Sequence, residues 1–446
     1  MSSPEHRGDQ SQTQPQLTLC QERAWARLLS QDNVFLTGGA GTGKSFLVRR
    51  YLGHLQSHIK GRRSATKDLP ILASTGAAAV LIGGRTFHSF FGLGILEGGV
   101  AATVDRAAQN RSVIARLRRA QGFILDEVSM LSGQTLRAAE TIARRVRDND
   151  RPWGGLRVIA VGDFAQLPPV EGGRNEALPV RSDGRRDWAF QDESWTSSLF
   201  APALLREHVR STDSRFLQVL ELVREGTVTS VVRDFLESRR PDGEVSRDVP
   251  RLFPRRDTTE RYNLDRLAEL KGQETVIETL YSGETPAREA LKRQAPIPEV
   301  LRLKEGALVM LRVNEPSGKY VNGSLGTVLK VTPARLTIEL QSGRTVELEK
   351  QGFYFYSADG EAKAGAINFP VVLAWATTIH KSQGATLDRL VVDLTRLWEP
   401  GQAYVALSRL RSSDGLHLTG WSPQSIRADQ DVLEFYDQLF EATALC

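Results

Sequence analysis

One short string constrains this chain more than anything else in it: Gly38-Gly39-Ala40-Gly41-Thr42-Gly43-Lys44-Ser45. It fits G-x-x-x-x-G-K-[ST], follows the apolar run Val34-Phe35-Leu36-Thr37, and leads into a helical pattern over Ser45 to His58. Strand, glycine-rich turn and helix in that order make a cradle for phosphates. The glycines let backbone N–H groups close around the anion, and the helix N-terminus adds partial positive charge. Lys44 is expected to reach the β- and γ-phosphates, and Ser45 a Mg²⁺ ion. ATP and Mg²⁺ are the cofactors this implies, in a P-loop α/β fold.

More strands of the same kind follow. Ile71 to Ser74, Phe123 to Leu125 and Val158 to Val161 are short and apolar on both faces, which suits a parallel sheet covered by helices. A helical pattern over Thr135 to Arg147 lies between the last two. The segment Glu207 to Leu270 reads as helical and charged. Beyond it, Ala307–Leu311, Gly326–Leu329, Leu336–Leu340 and Thr345–Leu348 are strand-like, with turns at Asn322-Gly323 and Ser342-Gly343. Short strands and tight turns predict a small β-barrel. The α/β pattern is expected to resume with Val371-Val372-Leu373 and Leu390 to Asp393, so the barrel is an insertion.

The expected organisation is a flexible tail over 1–16 and a first RecA-like domain over 17–204. A second RecA-like domain takes 205–300 and 366–446, and the barrel takes 301–365.

Composition narrows the class without naming a partner. With 446 residues, 40% hydrophobic and 25% charged, the chain is ordinary globular protein. No apolar run reaches the 18 residues that would suggest a membrane span. Only Cys20 and Cys446 are present, too few for a disulfide framework, which points to a reducing compartment and the bacterial cytoplasm. A net charge of +5 permits a polyanionic partner without requiring one.

Candidate catalytic residues follow the strands. Asp126 and Glu127 end Phe123–Leu125, where a P-loop enzyme needs one carboxylate for Mg²⁺ and another to orient water. Gln166, in Gly162-Asp163-Phe164-Ala165-Gln166-Leu167-Pro168-Pro169, stands where it can sense the γ-phosphate. Gln21 allows two readings: an amide that reads adenine, or the partner of Thr18 in a helix capping box. Arg210 and Arg409 are candidate arginine fingers. Thr377-Thr378-Ile379-His380-Lys381-Ser382-Gln383-Gly384 is a polar loop able to hold phosphate.

Taken in order, these strings resemble superfamily-one helicases of the subclass that includes RecD, and most closely the Pif family (petite integration frequency). The resemblance rests on the run from Ser132-Gly133-Gln134-Thr135-Leu136 through Ala143–Arg147 and Arg151–Val158 into Gly162–Val170. Ser74-Thr75-Gly76-Ala77, Thr86-Phe87-His88-Ser89, Val321-Asn322-Gly323-Ser324 and Tyr404-Val405-Ala406-Leu407-Ser408-Arg409 extend it over about 17–418.

It implies two RecA-like domains with ATP between them, an accessory β-domain, and a wedge-bearing insert near 94–118. The chain would be a minimal core without large flanking domains. ATP ligands would be Gln21, Gly38, Gly39, Ala40, Gly41, Thr42, Gly43, Lys44, Ser45 and Gly384. Arg210 and Arg409 would face the γ-phosphate. Thr75, Gly76, His88, Pro168, His380, Lys381 and Ser382 would contact DNA. Cys20 departs from the acidic residue the family often carries there. The implied activity is 5′→3′ DNA unwinding in repair, replication or recombination. Its partners would be single-stranded DNA, duplex junctions and G-quadruplex or RNA–DNA hybrid. A RecD-like recombination motor and a DNA-binding nucleotide switch are the alternatives.

Overall fold

The structure, a computed structural model, describes residues 16–58, 68–74, 85–93, 99–169, 185–247, 249–313, 315, 319–320, 322–356 and 362–444. The expected sites Thr75 and Gly76, and nearly all of the expected tail, lie outside the described residues.

The first sheet is all parallel. Its strands are β1 (Val34–Gly38), β2 (Ile71–Ala73), β3 (Arg85–Thr86), β4 (Gly122–Asp126), β5 (Arg157–Gly162) and β6 (Ala201–Leu205), in the order β3-β2-β4-β5-β1-β6. The central strands are buried on both faces, as their unbroken apolar runs require. Pairing of Thr37 with Gly162 and of Leu125 with Ala160 levels the C-terminal ends of β1, β4 and β5. The phosphate loop, the acidic pair and the glutamine string leave from those ends. Ligands of open α/β sheets bind at that edge. The helix Gly133–Arg147 packs nine buried residues against this core; Ser132 caps it by accepting from the Thr135 N–H.

A second parallel sheet holds β7 (Arg251–Phe253), Ala376–Thr378, Leu390–Leu394 and Leu416–Trp421. The strand β7 interrupts the stretch expected to be helical. It is only three residues long between Pro250 and Pro254, too short for a period to register.

Between β7 and Ala376–Thr378 of the second sheet lies the β-rich insertion. Leu308–Leu311, Leu325–Val331, Leu336–Leu340 and Thr345–Leu348 are strands, as expected. They form one antiparallel sheet, completed by Val371–Leu373 against Leu308–Leu311. Val371-Val372-Leu373 therefore finishes the insertion rather than resuming the α/β pattern, which returns at Ala376. An apolar three-residue run suits either sheet, and its partner decides. A further three-stranded sheet joins Leu280–Gly283, Gln351–Tyr356 and Ala362–Asn368. The five strands run in open linear order, and no described pairing closes them into the expected barrel.

The segment expected to bear the wedge contains two helices, Gly99–Gln109 and Arg111–Arg119. Finally, the C-terminal helix Gln430–Ala444 returns to the first sheet. Val432 and Tyr436 join its core, with Phe435, Leu439 and Phe440 packed alongside.

Candidate active site and nucleic-acid interface

The phosphate loop is shaped by what surrounds it. Gly43 has φ +97, and a Cβ there would stand 2.6 Å from Gln21 Nε2, so only glycine fits. Gln21 takes the capping-box reading and also touches the phosphate loop. Its side chain accepts from the Thr18 N–H at 3.2 Å while Thr18 Oγ1 accepts from the Gln21 N–H, which completes the capping box. Its Nε2 donates to Thr42 O of the loop at 3.1 Å.

Lys44 Nζ donates to Gly38 O at 2.7 Å and Gly39 O at 3.1 Å. Burial lowers its pKa, against Asp163, Glu127 and Asp126, whose charges raise it. The Ala40 N–H donates to Tyr404 Oη at 2.7 Å, which ties the loop to the helix Gln402–Leu407. Ser45 is exposed at the first turn of the following helix.

Asp126 and Glu127 end β4. Glu127 has φ 55 and ψ 48, a left-handed conformation that costs a non-glycine residue about 1–3 kcal/mol. Burial, and then the charge of Asp126, pushes the Glu127 carboxyl up to about 7. Asp126 is likewise raised by burial, and it accepts from the Glu127 N–H at 3.0 Å. A carboxylate poised near neutrality is suited to take a proton from water.

Gln383, from the loop read as phosphate-binding, reaches across the cleft. Its Nε2 donates to Glu127 Oε2 at 3.0 Å and to Gln166 Oε1 at 3.4 Å. Gln166 is buried and donates to Asp163 Oδ2 at 3.4 Å. Gly401 lets its own segment lie against the same string: a Cβ there would meet Gln166 O at 2.2 Å.

Both arginines converge on the same face. Arg409 is buried and donates to Val405 O at 2.8 Å, Ser408 Oγ at 2.9 Å and Ser382 O at 3.4 Å. Burial, and then Arg210, lowers its pKa to about 10, while Glu127 opposes the shift. Arg210 donates to Ser408 O at 2.7 Å, and its Cβ lies 2.7 Å from where Gly41 would carry one.

Beneath the loop lies a buried polar cluster. Burial would raise Asp163, yet Arg224 and Lys44 hold it below the ordinary carboxylate range. Arg224 donates to Asp163 Oδ1 at 3.0 Å, Tyr436 to the same oxygen at 3.1 Å, and Tyr404 to Oδ2 at 3.4 Å. Tyr436 Oη also accepts from the Phe164 N–H at 3.0 Å and meets Thr37 Oγ1 at 2.9 Å. Gln383, Asp163 and Tyr404 stood inside strings already singled out, but no role fell to them from sequence. Arg224 and Tyr436 carried no local signal at all.

The remaining expected sites differ in exposure. Lys381 and Gly384 are exposed, His380 and His88 half-buried, and Pro168 buried. Ser382 is also buried and spends its hydroxyl on Ile379 O at 2.7 Å. Among the described residues no group of three or more His, Cys, Asp or Glu is placed to hold a metal by itself. The donor set at the loop is one hydroxyl and one carboxylate, hard oxygens of the kind Mg²⁺ takes alongside phosphate oxygens and water.

Comparison with known proteins adds to this geometry. The family profile described as PIF1-like helicase matches residues 18–232. The chain is 51% identical over 411 residues to the ATP-dependent DNA helicase Pif1 of Bdellovibrio bacteriovorus, covering 92% of this chain and 89% of that one. It is 37% identical to the ATP-dependent DNA helicase PIF1 of Danio rerio and spans 62% of that protein's length. The crystal structure of Pif1 helicase from Candida albicans superposes with a TM-score of 0.78 at 33% identity, covering 96% of this chain and 100% of that one. A Bacteroides Pif1 helicase in complex with ADP-AlF3 and single-stranded DNA has a TM-score of 0.66 at 26% identity, covering 96% and 98%.

Proposed function

The chain belongs to the PIF1-like helicase family and is an ATP-dependent DNA helicase; we propose that it moves 5′→3′ along single-stranded DNA and opens duplex at junctions. The observation that carries the motor reading is Gln383. One side chain from the loop beside Lys381 is hydrogen-bonded to Glu127 at 3.0 Å. A change at the nucleotide is thereby felt at the DNA-side loop through a single residue.

On this reading the loop N–H groups and Lys44 hold the phosphates, and Gln21 reads adenine. Glu127 takes the proton of the attacking water, and Gln166 senses the γ-phosphate. Arg210 and Arg409 stabilise charge on the transferring phosphoryl group from the second domain's side. Ser45 and Asp126 would hold Mg²⁺, which neutralises phosphate charge when bound. Because Arg409 also donates to Ser382 O, drawing its guanidinium toward phosphate pulls on the DNA-side loop. Thr75, Gly76, His88, Pro168, His380, Lys381 and Ser382 would line the strand's path. We read the β-insertion as the family's accessory β-domain, 94–118 as the wedge-bearing insert, and G-quadruplex DNA and RNA–DNA hybrids as further substrates.

Partial duplexes test this directly. A 5′ single-stranded tail supports ATP-dependent unwinding and a 3′ tail does not. Preference for the 3′ tail overturns the polarity. Binding with ATP turnover but no unwinding of either substrate leaves the nucleotide-switch reading instead.

A further inference from the structure

Ala40, inside the phosphate loop, has both of its backbone polar groups held from outside the loop. Its N–H donates to Tyr404 Oη at 2.7 Å, and its carbonyl oxygen lies 3.2 Å from His208 Nδ1. A carbonyl only accepts, so Nδ1 carries the hydrogen of that bond. The same two side chains close on the neighbouring residue. A Cβ at Gly39 would lie 3.2 Å from Tyr404 Oη and 3.3 Å from His208 Cε1.

The two side chains arrive from distant parts of the chain. His208 follows β6, the edge strand of the first sheet. Tyr404 is on the helix Gln402–Leu407, which falls between two strands of the second sheet in chain order. The segment after β6 follows the loop residue by residue. The Val209 N–H donates to Gly41 O at 2.9 Å, one position on from the contact of His208 with Ala40. Arg210 comes next against Gly41, and its donation to Ser408 O at 2.7 Å returns to the C-cap of the helix that bears Tyr404. The Tyr404 hydroxyl is itself fixed, since it donates to Asp163 Oδ2 at 3.4 Å. With Ala40 8% and Tyr404 2% exposed, water is kept from competing for these bonds. A peptide held at both its N–H and its carbonyl cannot turn without breaking the two bonds together. In a run as rich in glycine as Gly38 to Gly43, such turning is otherwise easy.

We propose that Tyr404 and His208 are positioning residues for the nucleotide. They fix the Ala40 peptide, so the loop meets the phosphates already in its binding shape. The N–H of Ala40, expected to face phosphate, is then a point of attachment and not a ligand. This rests on the reading of the loop as the ATP site. Holding a loop in its bound shape strengthens binding because less freedom is lost when the ligand enters.

The test is binding of a fluorescent ADP by the full chain, with the KM for ATP and kcat measured at saturating oligothymidine. Wild type, Tyr404→Phe, His208→Ala and His208→Asn are compared, each shown folded by its thermal midpoint. Tyr404→Phe and His208→Ala should each weaken ADP binding and raise KM by roughly three- to tenfold, the share of one hydrogen bond. The kcat should change less than KM, a split that marks lost binding and not a lost chemical step. His208→Asn keeps an N–H donor close to the place of Nδ1 and should recover most of the loss, which a purely packing role would not allow. Unchanged ADP affinity in Tyr404→Phe and His208→Ala overturns the proposal. So does tighter binding in Tyr404→Phe, which would mean that the hydroxyl withholds the Ala40 N–H from phosphate. If Tyr404→Phe does not fold, the half-buried His208 decides it: His208→Asn no better than His208→Ala counts against the proposal. A wild type that binds no ADP defeats the nucleotide-site reading itself, whereas wild-type binding with unaltered variants defeats this inference alone.

Discussion

Lys44 and Lys381 both have lowered pKa values, but the charges around them are weighted differently. Around Lys44 desolvation is opposed first by Asp163 and Glu127, with Arg224 reinforcing it and Asp126 opposing it. Around Lys381 desolvation is reinforced first by Arg256 and Arg312, with Glu260 opposing it. The nucleotide cleft is therefore satisfied from within: Lys44 rests on two loop carbonyls, and Asp163 is held by Arg224 and two tyrosines. At the loop of Lys381, which we propose faces DNA, the two arginine charges come ahead of the one carboxylate, Glu260, that opposes them. The first arrangement favours a group that exchanges partners when a ligand enters. The second favours a polyanion that stays engaged while the grip changes.

The comparison breaks first at Lys44. Lys44→Ala is expected to abolish nearly all ATP turnover while single-stranded DNA binding persists, because the two lysines serve different anions. Both are measured on one preparation, and wild-type turnover would remove Lys44 from the site. Glu127→Gln comes next, with hydrolysis lower by roughly 10²–10⁴ and nucleotide binding retained. The raised carboxyl gives this a pH signature. Below about 7 Glu127 is mostly protonated and cannot accept a proton; above it the base is free. Wild-type turnover should climb as pH rises through that value, and Glu127→Gln should lose the climb. A parallel pH profile in the variant would assign the titration elsewhere.

The nucleotide half was the more legible region in sequence, for a physical reason. Its residues leave three neighbouring parallel strands, so each site follows an apolar run in the chain: Lys44 after β1, Glu127 after β4, Gln166 after β5. The fold of that half follows from the same runs. What holds the half against the second domain was not legible. Tyr436 and Arg224 meet Asp163 from 273 and 61 residues away. Nothing local marks such a contact, because a tyrosine on an amphipathic helix reads as core. Val371–Leu373 taught the same lesson in the sheet, since its apolar run could not reveal which partner it would take.

The arginines test whether the two halves act on one nucleotide. Arg210→Ala and Arg409→Ala should each lower turnover by roughly 10²–10³. The double variant should lose less than the product of the single losses, since both serve one closed state. Strictly multiplicative losses would mean that each acts on a different step. A smaller effect is expected where the cleft's internal satisfaction is itself removed. Tyr436→Phe deletes the hydroxyl that accepts from Phe164 and donates to Asp163, leaving buried groups unpaired at about 1–3 kcal/mol. The midpoint of urea unfolding should fall accordingly, and an unchanged midpoint would show that the C-terminal helix does not hold the cluster in solution.

The smallest expected effect lies on the other side of the comparison. Lys381→Ala removes one charge from a loop whose backbone is fixed elsewhere, by Thr378 Oγ1 accepting from the Lys381 N–H and by Ser382 Oγ donating to Ile379 O. The loop should therefore keep its shape, and the change should be read purely in charge. If Lys381 touches a backbone phosphate, the salt slope of single-strand binding falls by about 0.7, one contact's share. Lys44→Ala should leave that slope untouched, because its ammonium is turned to carbonyls and carboxylates inside the cleft. The two lysines then separate by one measurement on one ligand. Equal slopes in both variants would mean that Lys381's charge, like that of Lys44, is spent within the protein, and the contrast between the two regions would not hold.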